Sequence, residues 1–419
     1  MKPNYRLLVG SLACALLPLI CKAAPGAPVP AVTAPAEPSV VELGGGGRPV
    51  GEGFSRSAVY ASNGIAATAQ PLASQVAVDI LQAGGSAVDA AIAANAALGL
   101  MEPTGCGIGG DIFVMIWDPG TRKLYGYNGS GRSPAGRSLE QLQARISELK
   151  AQGKLPQDHV GIPSTGHLPV TVPGTVDGWF AIHDRFGKLP MAKVLAPAVR
   201  YANEGFPVSP VIAYYLERNR LAFDRRLEGS DLLAEIYSTW YADGVAPAAG
   251  DVFRNPALGA TLATIGTGGR EAFYQGELAR RMDAYFRKIG ADLTIADFAS
   301  HRGEWVDPVG VEYRGYELFE LPPNGQGVAA LQMLNILKQV DLSQWPRGSA
   351  EVFHYMVEAK RLAFEDVARY YADPDFASIP LAGLISEEYG RARFDLIDPD
   401  RAATDFAPGD PKIEGEGDT

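Results

Sequence analysis

Cysteine is nearly missing from this sequence, and the positions of the few narrow their uses. Cys14 and Cys21 lie in an N-terminal leader, so a processed chain keeps Cys106 alone and has no internal disulfide even in an oxidising compartment. No CxxC pair is present, and the five histidines, His159, His167, His183, His301 and His354, never fall at H-E-x-x-H or i, i+4 spacing. No metal and no cofactor is therefore expected. Basic residues are short: 37 Lys and Arg stand against 48 Asp and Glu, a net charge of -11, with no basic cluster to follow a phosphate backbone. Nucleic acid is excluded as an expected partner. A G-x-S-x-G nucleophile elbow is also absent.

Long apolar runs are scarce. Leu7 to Ile20 is shorter than the ~20 residues a span needs, so no membrane span is expected in the mature chain. With Lys2 and Arg6 in front and Cys21-Lys22-Ala23 behind, residues 1–23 read as a signal peptide cleaved near Ala23, hence a periplasmic or secreted protein. Bulky Ile20 before Cys21 disfavours lipoprotein anchoring. Residues 24–57 are Ala/Pro/Gly-rich, end in Gly44 to Gly47, and hold too few apolar side chains to offset the entropy of ordering them. They read as a disordered tether, with a single folded domain from 58 to 419.

What the chain does have is 47% hydrophobic residues over 419 positions, enough for a large core. Pro71 opens a helix with Leu72, Val76 and Ile80 on one face, stopped by Gly84-Gly85. Ser86 and Asp89 form a capping box for an alanine-rich helix from Ala87 to Leu100, in which Asp89 and Asn95 read as core scaffold. Ser138 and Gln141 open another helix with Leu139, Leu142, Ile146 and Leu149 at spacings three and four; its Ser147-x-x-Lys150 falls on the polar side and reads as chance. Further helices run through Phe186 after Val172-Pro173-Gly174-Thr175, from Met191 to Asn203, from Gly276 to Gly290, from Gly327 to Val340 and from Glu351 to Tyr371. Strands occupy 304–322 around a turn at Arg314-Gly315. The stretch from Ala407 to Thr419 has no core-forming pattern.

The most specific local grammar lies in Glu102 to Pro134. A glycine loop leads into Ile112 to Trp117, apolar on both faces and so expected to be buried between two layers. Pro119-Gly120 turns the chain, Leu124 to Tyr127 returns, and a second glycine loop carries Arg132. Gly105, Gly107 and Gly110 match G-x-G-x-x-G, but a helix precedes them and a strand follows, the reverse of a dinucleotide site. Cys106 stands there without a nearby base and reads as a packed residue in a tight crossing.

Several motifs in fixed order carry a resemblance: Gly84-Gly85-Ser86-Ala87-Val88-Asp89-Ala90-Ala91; Gly107-Ile108-Gly109-Gly110-Asp111; Val172-Pro173-Gly174-Thr175-Val176-Asp177-Gly178; Tyr313-Arg314-Gly315-Tyr316; Leu321-Pro322-Pro323; and Asp373-Pro374-Asp375-Phe376. From about Val59 to Thr419 the chain resembles the large subunit of the γ-glutamyltranspeptidase family of N-terminal-nucleophile hydrolases. The resemblance implies an αββα four-layer sandwich, of which this chain is the large-subunit half. It implies a precursor that cuts itself before a threonine, whose freed α-amine then serves as base for its own hydroxyl. Glu416-Gly417-Asp418-Thr419 looks like the junction, with Thr419 its last residue and the nucleophile directly after it, so no catalytic residue is expected in this chain. The implied partners are the small subunit from the same precursor, as a heterodimer, and a small-molecule amide.

In γ-glutamyl enzymes of the family, an arginine four residues before the proline matching Pro134 clamps the substrate α-carboxylate. Here that place is Ser130, with Arg132 two residues on, a shift of ~6–7 Å along an extended loop. Ser130 and Arg132 are the candidate substrate-binding residues. Arg132 stands either as a carboxylate binder or as an exposed arginine on a loop. Many relatives also carry arginine where this chain has Val367. The expected activity is that of a γ-glutamyl transferase or glutathione hydrolase. The alternatives are a cephalosporin-acylase-like or oxamate-like amidohydrolase, or an orphan large subunit without catalysis.

Overall fold

The computed structural model describes residues 59–227 and 231–411, with the paired residues 43–44 and 48–49. The expected signal peptide and the Thr419 junction lie outside the described residues. The chain divides into two units, 1–61 and 62–419. Within the first, in the stretch expected as a tether, Leu43–Gly44 pairs antiparallel with Arg48–Pro49.

The second unit is built outward from small side chains. Helices Pro71–Gln82 and Ala87–Met101 pack against each other, the second opened by the expected capping box between Ser86 and Asp89. The alanines from Ala90 to Ala97 let the Ala87–Met101 helix lie close to its neighbours, Met191–Glu204 and Thr175–Phe186. Asp89 is fully buried and accepts hydrogen bonds from the backbone N–H groups of Ser86, Lys188 and Leu189. Asn95 accepts one from the Trp179 indole at 2.8 Å. Both are scaffold, as their sequence context implied.

The central sheet has three antiparallel strands, ordered Ile112–Asp118, Lys123–Gly129, Glu304–Val306. Register places Val114 opposite Tyr127 and Tyr127 opposite Trp305, while Phe113, Asn128 and Glu304 share the next row. Ile112, Val114 and Ile116 pack on the helical core. The expectation that both faces of the first strand are covered is not met among the described residues: Phe113, Met115 and Trp117 are 50%, 43% and 58% exposed. Alternation sends successive side chains to opposite faces, and among the described residues helices cover one of them.

A smaller lobe follows. Val309–Tyr313 and Tyr316–Glu320 form a hairpin around Arg314 and Gly315, both with positive φ, and it packs on helix Val328–Leu337. Helices Ala350–Tyr370 and Glu387–Phe394 flank that helix around Ile336, Leu362 and Ile397. The helix opened by Ser138, Leu139–Ala151, buries none of its residues, so its apolar stripe lies near the surface. Helices Pro210–Arg226 and Pro256–Tyr274 went unread in the sequence, although Ser209-Pro210 and Asn255-Pro256 are N-cap signals and both caps accept a backbone hydrogen bond.

Candidate active site

The loop leaving the hairpin, Gly129 to Pro134, is held against the segment that enters helix Thr175–Phe186. Val172 N–H donates to the Arg132 carbonyl at 3.0 Å, and Gly131 N–H donates to Asp111 Oδ1 at 2.9 Å. The two backbones run so close that a Cβ on Gly131 would overlap the Val172 carbonyl oxygen, and one on Gly174 the Gly129 oxygen. These are the glycines that close approach demands. By contrast, a Cβ on Gly107 or Gly109 in the first glycine loop would meet open space. That loop is tied instead through carbonyls: Gly110 O accepts from Gly174 N, Thr175 N and Thr175 Oγ1. Cys106 lies in it partly buried, and burial, then the Glu102 charge, push its thiol up, which suits packing and not attack.

Beneath the loop sits a buried polar centre at Asp177. Its carboxylate accepts from Tyr127 Oη at 2.6 Å and Gly303 N at 2.8 Å, and pairs with Arg270 Nε. Its own N–H donates to Tyr274 Oη, which donates in turn to the Pro173 carbonyl. One carboxylate thus ties together the central strand, the start of the third strand, helix Pro256–Tyr274 and the entry to helix Thr175–Phe186. Burial opposes its charge, but the bonds from Tyr127, Gly303 and Arg270 outweigh it and hold its pKa below the usual carboxylate value. The ring of His301 stacks on Tyr274, and burial pulls its pKa down, leaving it neutral at pH 7.

The same loop borders a cavity of about 900 Å³ that takes in Ser130, Arg132, Arg302 and the Asp373–Ile379 segment. The structure thus brings both candidate residues to one cavity. Ser130 Oγ accepts from Asn324 Nδ2 at 3.0 Å, and Asn324 Oδ1 accepts from Asn128 Nδ2 at 2.8 Å, a neutral chain of amides where the family's clamp is expected. Arg132 is half-exposed and faces acids: Asp373 at 3.1 Å, Asp375 at 2.5 Å and Glu304 at 3.6 Å. Its protein partners are themselves carboxylates. Sequence reading singled out Asp373-Pro374-Asp375 as a motif but not as the partner of Arg132, since the two lie 241 residues apart along the chain. Asn128, Asn324 and the Asp177 centre were missed as well, and only the motif around Asp177 offered a signal.

The other candidates stay apart from this cavity. Ser147 Oγ bonds Gln143 O and Lys150 Nζ bonds Gln157 O, so the S-x-x-K pair is two separate surface contacts. Asp366, ahead of Val367, is fully buried, bonded to Gln332, Tyr389 and Gly409 N, with Arg393 at 3.5 Å. Its cation therefore comes from helix Glu387–Phe394 and not from the next residue. Among the described residues, no helix is long and apolar enough to cross a membrane.

Comparison with known proteins gives a consistent result. The family described as gamma-glutamyltranspeptidase matches residues 73–419. A glutathione hydrolase-like YwrD proenzyme of Bacillus subtilis is 39% identical over 76% of this chain and 57% of its own length. The chain thus spans under two thirds of that curated relative. A cephalosporin acylase from Bacillus halodurans superposes with TM-score 0.77 at 41% identity, covering 86% of this chain and 64% of the acylase. A Helicobacter pylori gamma-glutamyltranspeptidase chain superposes with TM-score 0.76 at 29% identity, covering 87% of this chain and 100% of its own.

Proposed function

Because the chain belongs to the γ-glutamyltranspeptidase family, with the N-terminal-nucleophile hydrolase fold of that family, we propose that it is the larger part of a self-processing amide hydrolase or transferase for small, carboxylate-bearing amides. The attacking threonine belongs to the remaining part of the precursor, starting directly after Thr419. Its hydroxyl adds to the substrate carbonyl while its α-amine takes the proton; the amide C–N bond breaks, the amine leaves protonated, and water or an acceptor amine releases the acyl group. The observation that carries this reading is the placement of the cavity. Asn128 and Glu304, at its edge, share a sheet face with exposed Phe113, Met115 and Trp117. The part of the precursor that covers this apolar face reaches the cavity as well, and the two form a heterodimer exported by the leader at 1–23.

γ-Glutamyl amides such as glutathione are the first substrate class to test, since the Bacillus subtilis relative is a glutathione hydrolase-like proenzyme. A second reading, a non-glutamyl acyl amide, is favoured by the neutral Ser130 at the clamp position and by the 41% identity to a cephalosporin acylase. Expressing the whole gene and assaying γ-glutamyl-, glutaryl- and butyryl-p-nitroanilide separates them. Turnover of the γ-glutamyl compound well above the glutaryl one supports the first. The reverse order supports the second. A gene with no threonine-initiated segment after codon 419, or no turnover of any anilide by the processed protein, sinks the catalytic reading.

A further inference from the structure

We propose that Arg302, and not Arg132, takes the carboxylate of the substrate. The inference rests on the amide-hydrolase reading above for its substrate class. Three arginines line the cavity: Arg132, Arg137 and Arg302. Arg132 is surrounded by Glu304, Asp373 and Asp375 within 4 Å, so one positive charge meets three negative ones and an incoming carboxylate is repelled on balance. Arg137 is 8% exposed at its side chain and committed to Asp292 and the Leu168 carbonyl. Arg302 is different. Among the described residues its guanidinium has no carboxylate within ion-pair distance and bonds two carbonyls, Ala299 O at 3.3 Å and His301 O at 2.6 Å, both through Nη1.

Those two bonds hold Arg302 in place without neutralising it. The His301 carbonyl that accepts from Arg302 also accepts from Arg270, which is paired to buried Asp177, so the anchor is continuous with the buried polar network at Asp177. A planar guanidinium fixed at one nitrogen keeps Nε and Nη2 for a forked pair of bonds to a carboxylate. The neutral Asn128–Asn324–Ser130 chain adds polarity to the same cavity without a competing charge. The clamp has moved, in effect, from the second glycine loop to the start of the third strand.

Calorimetric titration with glutarate and with butyrate, which lacks the distal carboxylate, tests this on the processed protein expressed from its whole gene. Wild type is expected to prefer glutarate. Arg302→Ala and Arg302→Gln should cut that preference about tenfold to a hundredfold, the weight of a charge-assisted pair. The Gln variant keeps a donor for the two carbonyls, so equal losses in both report the missing charge and not a misfolded loop. Arg132→Ala should leave the preference standing. The proposal is overturned if both Arg302 variants retain the preference, if Arg132→Ala alone abolishes it, or if wild type has none. Because binding is read apart from turnover, a glutarate preference with no anilide hydrolysis would remove the enzymatic reading and leave Arg302 as a carboxylate site.

Discussion

The Asp177 carboxylate joins three segments of the chain, through Tyr127, Gly303 and Arg270. Removing its charge takes from Arg270 its buried partner and leaves only the more exposed pair with Glu271, so Asp177→Asn should cost about 3–5 kcal/mol in urea unfolding. Its depressed pKa sets the pH dependence. A carboxyl whose folded pKa lies below the unfolded value of about 3.9 contributes fully above that pH, and the contribution is lost as pH falls through the folded value. The wild-type urea midpoint should therefore drop steeply below about pH 4, and the Asn variant should show a shallower fall over the same window. Arg132 predicts the opposite kind of result. Its ion pairs are half in water, a setting where such pairs are worth about 0–1 kcal/mol, so Arg132→Ala should move the unfolding midpoint little. That Arg132 and Ser130 lie together on the loop that borders the cavity was legible from their place after the hairpin. That Arg132 is occupied by acids from 241 residues away was not, because ion pairing between distant segments leaves no local pattern.

At the scale of elements, the site depends on two extended segments lying flush. Gly174→Ala would set a methyl group into the Gly129 carbonyl, and backbone has little room to yield, so a loss of at least about 1–3 kcal/mol is expected, measured by urea unfolding. Gly107→Ala, where the added Cβ meets nothing, should be near neutral by the same measurement. The contrast tests whether the first glycine loop is a crossing. Most elements here were readable because their signals are local: capping boxes at Ser86 and Ser138, the Arg314-Gly315 turn, glycine stops. The stretch after Ala407 shows where that logic ends. Its composition promised no structure, yet Gly409 is held between Asp366 and Tyr370 Oη, and the Ala407 carbonyl accepts from Arg393. Backbone groups made those bonds, and backbone is the same in every sequence.

For the molecule as a whole, the open sheet face is the feature with most consequence. A contiguous row of Phe113, Met115 and Trp117 in water is costly, and burying such side chains is worth about 1.5–3 kcal/mol each. Trp117→Asp should leave the helical core intact, since the side chain points away from it, while weakening the hold on the remaining part of the precursor. Sedimentation of the processed protein checks this: separation into two species at dilutions where wild type stays joined is the expected result, and an unchanged single species would count against that face as the joint. Family, helix ends, turns and the identity of the loop that borders the cavity were determined by the sequence alone, since each rests on residues near one another in the chain or on motifs in order. Only the tertiary structure decided that, among the described residues, one strand face is bare, Arg132 is matched by acids and Arg302 has no carboxylate partner. Those are properties of charge and burial summed over segments that meet in space, and no reading along the chain contains that sum.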